Sequence, residues 1–366
     1  MRTVSKALPA ILLACCAQAS ADSQHGEITA WQAAGPDSPS ELRWKHDASG
    51  NFSENISWLV EPQAVLHNPH HPDQGLRLER AYVAARGAGW DVRAGRQLFD
   101  WSLTDTISPA DVLNPRDWSD ITRVRKLATP ALSVRYGAQT SIEAVWMPGR
   151  RKSLLPGRWP AQQAVNGAQY ALRLAGNAAQ TDWSVVYFDG EHVAPTMQLA
   201  YEALRVLALT AARQVAGDSI VRAEAAQYRQ GERPAYLRYV ASIDKELSDV
   251  FSDGDTLYGV LQYAGSTQGA SAFNAYGWPD FQRILERSAM FKLTYDFRSD
   301  RRTTAEFSGA WNTRKHDSLW QASIAQAIGP SLTLTAGAQL PDGRKNSFWG
   351  AHRGYRRLTL QAQWKY

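Results

Sequence analysis

The stretch "RLTLQAQWKY", residues 357–366, alternates strictly between polar and apolar side chains. Its apolar row is Leu358, Leu360, Ala362, Trp364 and Tyr366. Because successive side chains of a β-strand point to opposite sides, this pattern predicts a strand with one apolar and one polar face. The same alternation recurs at 332–340, 291–297 and 132–136, so we expect an all-β chain.

Short and long connections alternate between the predicted strands. The strands are expected at 27–34, 40–46, 54–67, 75–86, 90–99, 130–137, 139–147, 168–175, 181–189, 195–215, 219–228, 235–245, 255–264, 287–298, 303–312, 318–327, 331–340 and 356–366. Many of them have the length, about 9 to 12 residues, that crosses a bilayer at a tilt, whereas soluble sandwich strands average about 5–6. The pattern predicts a transmembrane antiparallel up-and-down β-barrel of 18 strands. Sixteen is the alternative, because the first two segments alternate least clearly.

The N-terminus carries the features of an export signal. Arg2 and Lys6 precede an apolar run at 7–16, and Ala19-Ser20-Ala21 forms a small-residue cleavage motif. We therefore predict a signal peptide at 1–21 and a single barrel domain at 22–366. Residues 12–15 loosely resemble a lipobox, so lipidation at Cys15 is the alternative. Export, together with 14 Trp and 14 Tyr, points to the bacterial outer membrane, where barrels carry aromatic girdles.

The polar row of each strand is expected to line the lumen, and the apolar row to face lipid. This interpretation places several charged residues in the lumen, among them Arg135, Arg205, Arg222 and Glu224. A barrel of 16 to 18 strands is wide enough to leave an aqueous channel. The long connections are rich in arginine and lysine, which would attract anions to one mouth of the barrel. Contact with outer-leaflet phosphates is the competing explanation. The net charge of +5 adds no strong overall field.

The connection at 101–129 is the candidate constriction. It contains "WSLTDTISPADVLNPRD", residues 101–117, whose two prolines block sheet pairing and stiffen the chain. Its aspartates and Asn114 can form local turns. We predict that it folds into the lumen. The residues expected near the narrowest point are Arg96, Asp105, Asp111, Asn114, Arg116 and Asp117. The alternative is an outer lid that never enters the bore.

No catalytic or cofactor-binding motif is present in the sequence. G-x-S-x-G, H-E-x-x-H, the Walker A motif and G-x-G-x-x-G are all missing. Three histidines in "HNPHHPDQ", residues 67–74, are interpreted as a casual surface cluster rather than a metal site. The prediction is therefore a channel without enzyme activity, cofactor, metal or nucleic-acid partner. A barrel enzyme acting on lipid or peptide, and a plugged structural barrel, are the alternatives.

The segment "AGRQLFDWSLTDTISPADVLNPRD", residues 94–117, resembles porin-like outer-membrane proteins of the alginate-export type and a related porin-like family. The matching residues are Gly95, Arg96, Gln97, Trp101, Asn114 and Pro115. The resemblance implies an eighteen-strand channel for export or passage of anionic or amphipathic solutes, and no catalytic residue. The partners it implies are outer-membrane lipid and lipopolysaccharide, a small hydrophilic or anionic solute and, for export, periplasmic export components.

Overall fold

A computed structural model describes residues 22–34, 39–68, 74–104, 106–155, 165, 167–196, 199–267, 287–297 and 302–366. Within these residues, eighteen antiparallel strands form one sheet, and the first strand pairs with the last. Glu27 lies opposite Lys365 in that pair, and Ala34 lies opposite Leu358, so the sheet closes on itself. The predicted 18-strand barrel is confirmed. No helix among the described residues is long and apolar enough to cross a membrane.

The strands are numbered along the chain. They are β1 (Ser23–Ala34), β2 (Ser40–Ser53), β3 (Ile56–Asn68), β4 (Gly75–Gly87), β5 (Trp90–Gln97), the two-residue β6 (Arg116–Asp117) and β7 (Arg125–Lys126), β8 (Thr129–Gly137), β9 (Thr140–Met147), β10 (Gln169–Ala178), β11 (Thr181–Glu191), β12 (Ala203–Gln214), β13 (Ile220–Gln230), β14 (Tyr236–Ser248), β15 (Thr256–Ser266), β16 (Ser288–Phe297), β17 (Thr303–Asn312), β18 (Ser318–Ile328), β19 (Leu332–Asp342) and β20 (Arg357–Lys365). One short helix, α1 (Phe348–Ala351), precedes β20. Strands β6 and β7 pair with each other outside the barrel sheet.

The two ends of the barrel differ in the length of their connections. One end, the turn end, has tight connections and receives the start of β1 and the end of β20. At its β10–β11 hairpin, Ala179 and Gln180 both have positive φ, 49° and 62°. This is the geometry of a two-residue type I′ turn, which matches the twist of the flanking strands. The opposite end, the loop end, carries the long connections.

The outward face of the barrel is an apolar belt. Leu358 and Leu360 of β20 are each 64% exposed, and Leu207 and Leu209 of β12 are 51% and 57% exposed. Many other large apolar side chains on the same faces of their strands are similarly exposed. A water-soluble surface seldom carries so extensive an apolar region, whereas a lipid-facing barrel requires one.

The lumen side is apolar along part of the wall. Inward-facing side chains of β8 to β14 form a buried cluster with residues of the β5–β8 connection. The connection contributes Phe99, Trp101, Ala110, Val112 and Leu113. The barrel therefore holds a hydrophobic core inside its own lumen, and this core fixes the connection to one wall.

This inner core corrects one sequence prediction. In β12, Leu204, Val206 and Ala208 face inward and are buried. Arg205 alternates with them, is 67% exposed, and pairs with Asp189 on the same outward side at 3.0 Å. The prediction that Arg205 lines the lumen is wrong. The reason is that both faces of β12 are apolar, so polarity did not identify the inward row.

Candidate functional site

The connection from residue 98 to residue 128, named the lumenal loop, passes through the interior of the barrel. It leaves β5 and returns to β8, yet it bonds to inward-facing side chains on distant strands. On one side it reaches Glu224 of β13 and Gln262 of β15. On another side it reaches Gln339 of β19 and Arg357 of β20. These contacts place the loop inside the lumen and exclude the outer-lid alternative.

Glu224 is the main anchor of the loop. Its side chain is 2% exposed. One carboxylate oxygen accepts hydrogen bonds from the backbone N–H groups of Leu103 and Thr104, at 2.8 and 3.1 Å, and from the Thr104 hydroxyl at 3.0 Å. The other oxygen accepts from the Ser108 hydroxyl and from the backbone N–H of Ala110 at 3.4 Å. Five donors thus compensate a buried charge, which would otherwise be costly.

Further bonds fix the tip and the start of the loop. The Tyr228 hydroxyl donates to the carbonyl of Pro109 at 2.7 Å, and the Gln262 amide donates to that of Ile107 at 3.1 Å. The Trp101 indole N–H donates to Glu143 at 3.2 Å. Asp105, which the sequence placed near the narrowest point, lies outside the described residues.

Asn114 closes the neck of the loop. Its side chain is fully buried, its Oδ1 accepts from the backbone N–H of Phe99 at 2.8 Å, and its Nδ2 donates to the carbonyl of Leu127 at 2.9 Å. The backbone N–H of Leu127 also donates to the carbonyl of Pro115 at 2.8 Å. The Asn-Pro segment therefore ties the outgoing and returning arms together.

Four of the predicted constriction residues meet in this loop. Asp111 pairs with Arg116 at 2.6 Å and with Lys126 at 2.7 Å. Asp117 is 1% exposed and pairs with Arg125 at 2.6 Å. Together with the buried Asn114, Asp111, Arg116 and Asp117 hold the β6–β7 hairpin in place.

The returning arm docks on the wall formed by β19, β20 and β1. Arg357 pairs with Asp120 at 2.5 Å and donates to the Thr122 hydroxyl at 2.9 Å. The guanidinium groups of Arg123 and Arg357 lie over the Trp31 ring, 4.4 and 4.9 Å from its centroid. Cation–π contacts on both arginines add to the ion pair in fixing this arm.

Arginines gather around two buried carboxylates near the loop. Glu79 lies 3.5 Å from Arg77 and 3.6 Å from Arg151. Arg96, one of the predicted site residues, interacts electrostatically with Glu79, Arg77 and Arg151. Its own guanidinium donates to the backbone carbonyl of Leu78.

The second carboxylate, Glu41, lies 2.7 Å from Arg43, 3.4 Å from Arg123 and 3.9 Å from Arg125. Glu41 and Arg43 were not among the site residues predicted from the sequence. The charged alternate positions of "ELRWKHD", residues 41–47, were the signal that could have identified this inward row.

Arg135 and Arg222 lie elsewhere in the lumen. Arg222 faces inward near the start of β13 and forms an ion pair with Asp244. Arg135 is near the end of β8 and lies opposite Glu143 and Asp91 in the neighbouring strands. Both lie toward the turn end. Glu143, opposite Arg135, accepts from Trp101 of the lumenal loop, and Arg222 lies two residues from Glu224, the main anchor of the loop.

Residues of the lumenal loop, of several outer connections and of β18 form an apolar cluster. Its buried members are Trp118, Ile121, Leu155, Ala194, Leu199, Leu319, Phe348 and Trp349. Beside it, Arg150 donates to the carbonyls of Glu191 and His192, at 2.8 and 2.7 Å. Burial lowers the pKa of His192 to about 3, and the positive charges of Arg238 and Arg150 act in the same direction. The imidazole is therefore neutral near pH 7, and its Nδ1 accepts from the backbone N–H of Ala194 at 3.0 Å.

A cavity of about 460 Å³ lies between the lumenal loop and the 192–202 connection. Asp100, Asp111, Arg116, Lys126 and Arg238 contribute charged groups to its lining. It is large enough for a small organic molecule.

A closed β-barrel whose long connection folds into its own lumen has the architecture of a porin. No protein-family model and no curated protein matches the sequence. Solved structures do match the fold. The chain is similar to OccK3 (OpdO) of Pseudomonas aeruginosa, with a TM-score of 0.58 and 8% identity over 94% of each chain. It is also similar to OccAB1 of Acinetobacter baumannii, with a TM-score of 0.56 and 11% identity over 95% of this chain and 98% of that one.

A third structure, OccK10 (OpdN) of Pseudomonas aeruginosa, has a TM-score of 0.55 and 12% identity over 94% of this chain and 98% of that one. These neighbours are outer-membrane porins of the Occ/OprD family. At such low identity the likeness establishes a porin-like barrel fold. It confirms the porin-like part of the predicted resemblance and leaves the alginate-export part as a prediction.

Proposed function

We propose that the chain is an outer-membrane channel that passes small hydrophilic solutes, prefers anions, and is constricted by the lumenal loop. The observation that carries this proposal is an asymmetry within the lumenal ion pairs. In most of these pairs the cation is the more exposed partner; the exceptions are Lys126–Asp100, at 23% against 80%, Arg357–Asp120, at 5% against 22%, and the pairs of Asp47. Side-chain exposure is 28% for Arg125 against 1% for Asp117, and 30% for Arg80 against 5% for Glu61.

The same asymmetry recurs around the loop. Lys126 is 23% exposed, whereas its partner Asp111 is 4% exposed. Arg123 is 24% exposed, whereas Glu41 is 8% exposed. At these four pairs a solute in the bore would therefore meet ammonium and guanidinium groups before it met the buried carboxylates that neutralise them. Charges of one sign on a low-dielectric wall raise the local concentration of the opposite ion.

Neutral polar side chains cover another part of the wall. The inward faces of β17 to β20 carry Ser308, Ser323, Thr333, Thr335, Thr359 and Gln361, all of them partly exposed. Hydroxyl and amide groups can bond to a hydrated solute and do not repel an anion. This combination suits a small solute that carries a carboxylate or phosphate and further polar groups.

The test is the reversal potential of single channels in a planar bilayer under a salt gradient. The double variant Arg96→Gln, Arg151→Gln removes two positive charges from the lumen, and we expect a clear loss of anion preference. The matched control is Arg205→Gln, Arg229→Gln, which removes two positive charges from the outward face. The control should keep the wild-type reversal potential. An unchanged potential in the lumenal variant, or no conductance from the folded wild-type barrel, would overturn the proposal.

Two further predictions belong with this proposal. Export through the barrel, with periplasmic components as partners, is supported by the resemblance of residues 94–117 alone. Copurification of periplasmic proteins with the barrel from crosslinked cells would test it.

Removal of residues 1–21 on export is supported by the Ala19-Ser20-Ala21 motif, and N-terminal sequencing of the mature protein would test it.

A further inference from the structure

Two neighbouring connections at the loop end are packed into one unit. They are residues 313–317, between β17 and β18, and residues 343–356, between β19 and β20. The Asp317 carboxylate accepts from the backbone N–H of Trp349 at 2.7 Å. Gly343, at a φ of 147°, lies so close that a Cβ there would be 2.4 Å from the Cβ of Asp317. The two connections therefore present one joint surface.

That surface carries four cations. They are Arg314 and Lys315 on the first connection and Arg344 and Lys345 on the second. Among the described residues, none of the four lies within 4.0 Å of a carboxylate oxygen; Asp317 acts on Lys315 only at longer range, and the nearby Asp342 pairs with Arg353 and Arg356 at 3.0 and 2.6 Å. Unpaired cations this close in sequence repel one another, so the surface is suited to a multivalent anion.

Outward-facing aromatic rings lie directly below these cations. Trp311 is the next-to-last residue of β17 and is 45% exposed. Phe307, on the same face of the strand, is 44% exposed. Trp320, near the start of β18, stacks on Phe307 with ring centroids 6.2 Å apart. Phe291 of β16 extends the patch, 5.2 Å from Phe307. Aromatic rings at this position mark the level of the lipid headgroups, and the rings below them face acyl chains.

We propose that this surface, the basic-aromatic face, binds a phosphorylated lipid of the outer leaflet. Arg314, Lys315, Arg344 and Lys345 would contact the headgroup phosphates, and Trp320, Phe307 and Phe291 would pack against the acyl chains. Arginine and lysine are the side chains that recognise phosphate in proteins. A membrane lipid is the source that fits, rather than free phosphate, because the aromatic patch continues from the cations into the apolar belt. The inference is independent of what passes through the lumen.

The test is native mass spectrometry of the purified barrel with diphosphoryl lipid A, and with phosphatidylethanolamine as a lipid of no net charge. The variant Arg314→Glu, Arg344→Glu should bind lipid A about thirtyfold more weakly, since each cation at a membrane surface contributes a several-fold factor. The matched control is Arg213→Glu, Lys245→Glu, the same change of charge near the turn end, and it should bind as the wild type does. Closure of each barrel is checked by its heat-dependent migration on a gel.

A second variant tests the apolar part of the face. Phe307→Ala leaves all four cations in place and should also weaken the binding of lipid A. It should not change the binding of inorganic phosphate. If inorganic phosphate displaces lipid A at equal concentration, the surface is a free-anion site and the proposal is wrong. It is equally overturned if the double glutamate variant binds lipid A as the wild type does, or if the turn-end control loses binding to the same extent.

Discussion

Replacing Glu224 with glutamine is expected to release the lumenal loop from the wall of the barrel. The change keeps the shape of the side chain and removes its charge. The glutamine oxygen can still accept from Leu103 and Thr104, which bond to one carboxylate oxygen at 2.8 to 3.1 Å. The amide NH₂ takes the place of the other oxygen, where it faces the backbone N–H of Ala110. Two donors then face each other in a buried site.

The size of the effect follows from these contacts. Hydrogen bonds to a charged acceptor contribute about 1.5–3 kcal/mol, against about 0.5–1.5 kcal/mol for neutral ones. Weakening the three retained bonds by about 1 kcal/mol each lowers the stability of the seated loop by about 3 kcal/mol, before the unpaired N–H of Ala110 is considered. Since about 1.4 kcal/mol corresponds to a factor of ten, the ratio of seated to released loop should fall by more than a hundredfold.

Single-channel recording measures this ratio directly. Glu224→Gln should show larger open-channel steps and frequent transitions between conductance levels, because a mobile loop obstructs the bore intermittently. The control is Glu306→Gln, which removes the same charge from an inward residue that pairs with Lys292 at 3.3 Å and makes no hydrogen bond or ion pair with the described residues of the loop. The control should shift ion selectivity slightly without added transitions. Identical steps and noise in Glu224→Gln and the wild type would refute the anchoring role.

Three further predictions concern the same loop and its cover. Deleting residues 104–117 should raise single-channel conductance, and an unchanged conductance would show that the loop does not narrow the bore. Asn114→Ala should destabilise the loop neck by about 2–4 kcal/mol, because it leaves buried donors and acceptors unpaired, and trypsin should then cleave after Lys126 faster in intact proteoliposomes. The pKa of His192 is lowered to about 3 from its ordinary 6.5 while the imidazole is buried. Below pH 6.5 the imidazole therefore binds a proton when the 192–202 connection detaches and exposes it, but not while the connection is packed in place. The stability of the packed connection should then fall as the pH drops below 6.5. Channel closures should therefore change in frequency between pH 7 and pH 4, and His192→Gln should abolish that change.

The barrel could be predicted because alternation is a local property of the sequence. Strand β20 needs only residues 357–366 to reveal its two faces. The least accurate prediction was a strand at 195–215, where the structure has β12 at Ala203–Gln214. The preceding residues form an outer connection that belongs to the apolar cluster around Leu199. Apolar residues that serve an inner or outer cluster cannot be separated by pattern alone from those that face lipid.

The anchoring of the lumenal loop could not be predicted for a different reason. Prolines and turn-forming residues indicated a stiff connection that does not pair with the barrel sheet, and its described residues lie outside that sheet. Its partner Glu224, however, lies more than one hundred residues away from the donors it binds. In the sequence, Glu224 is one of several charged residues on an inward row. Only the closure of the barrel brings it opposite residues 103–110.

The charge that the lumen presents to a solute follows from how the loop is held. The backbone N–H groups of a loop that leaves the sheet need hydrogen-bond acceptors. Aspartate and glutamate have short side chains, so their carboxylates reach these N–H groups only when the side chain is buried against the loop, as that of Glu224 is. Arginine and lysine instead place their apolar stems along the wall and keep their charged ends in water. Arg125 and Asp117 show both behaviours in one pair. Where buried carboxylates hold the loop, as Asp117 and Asp111 do, the cations are left facing the bore, so the proposed preference for anions arises from contacts that also hold the constriction in place.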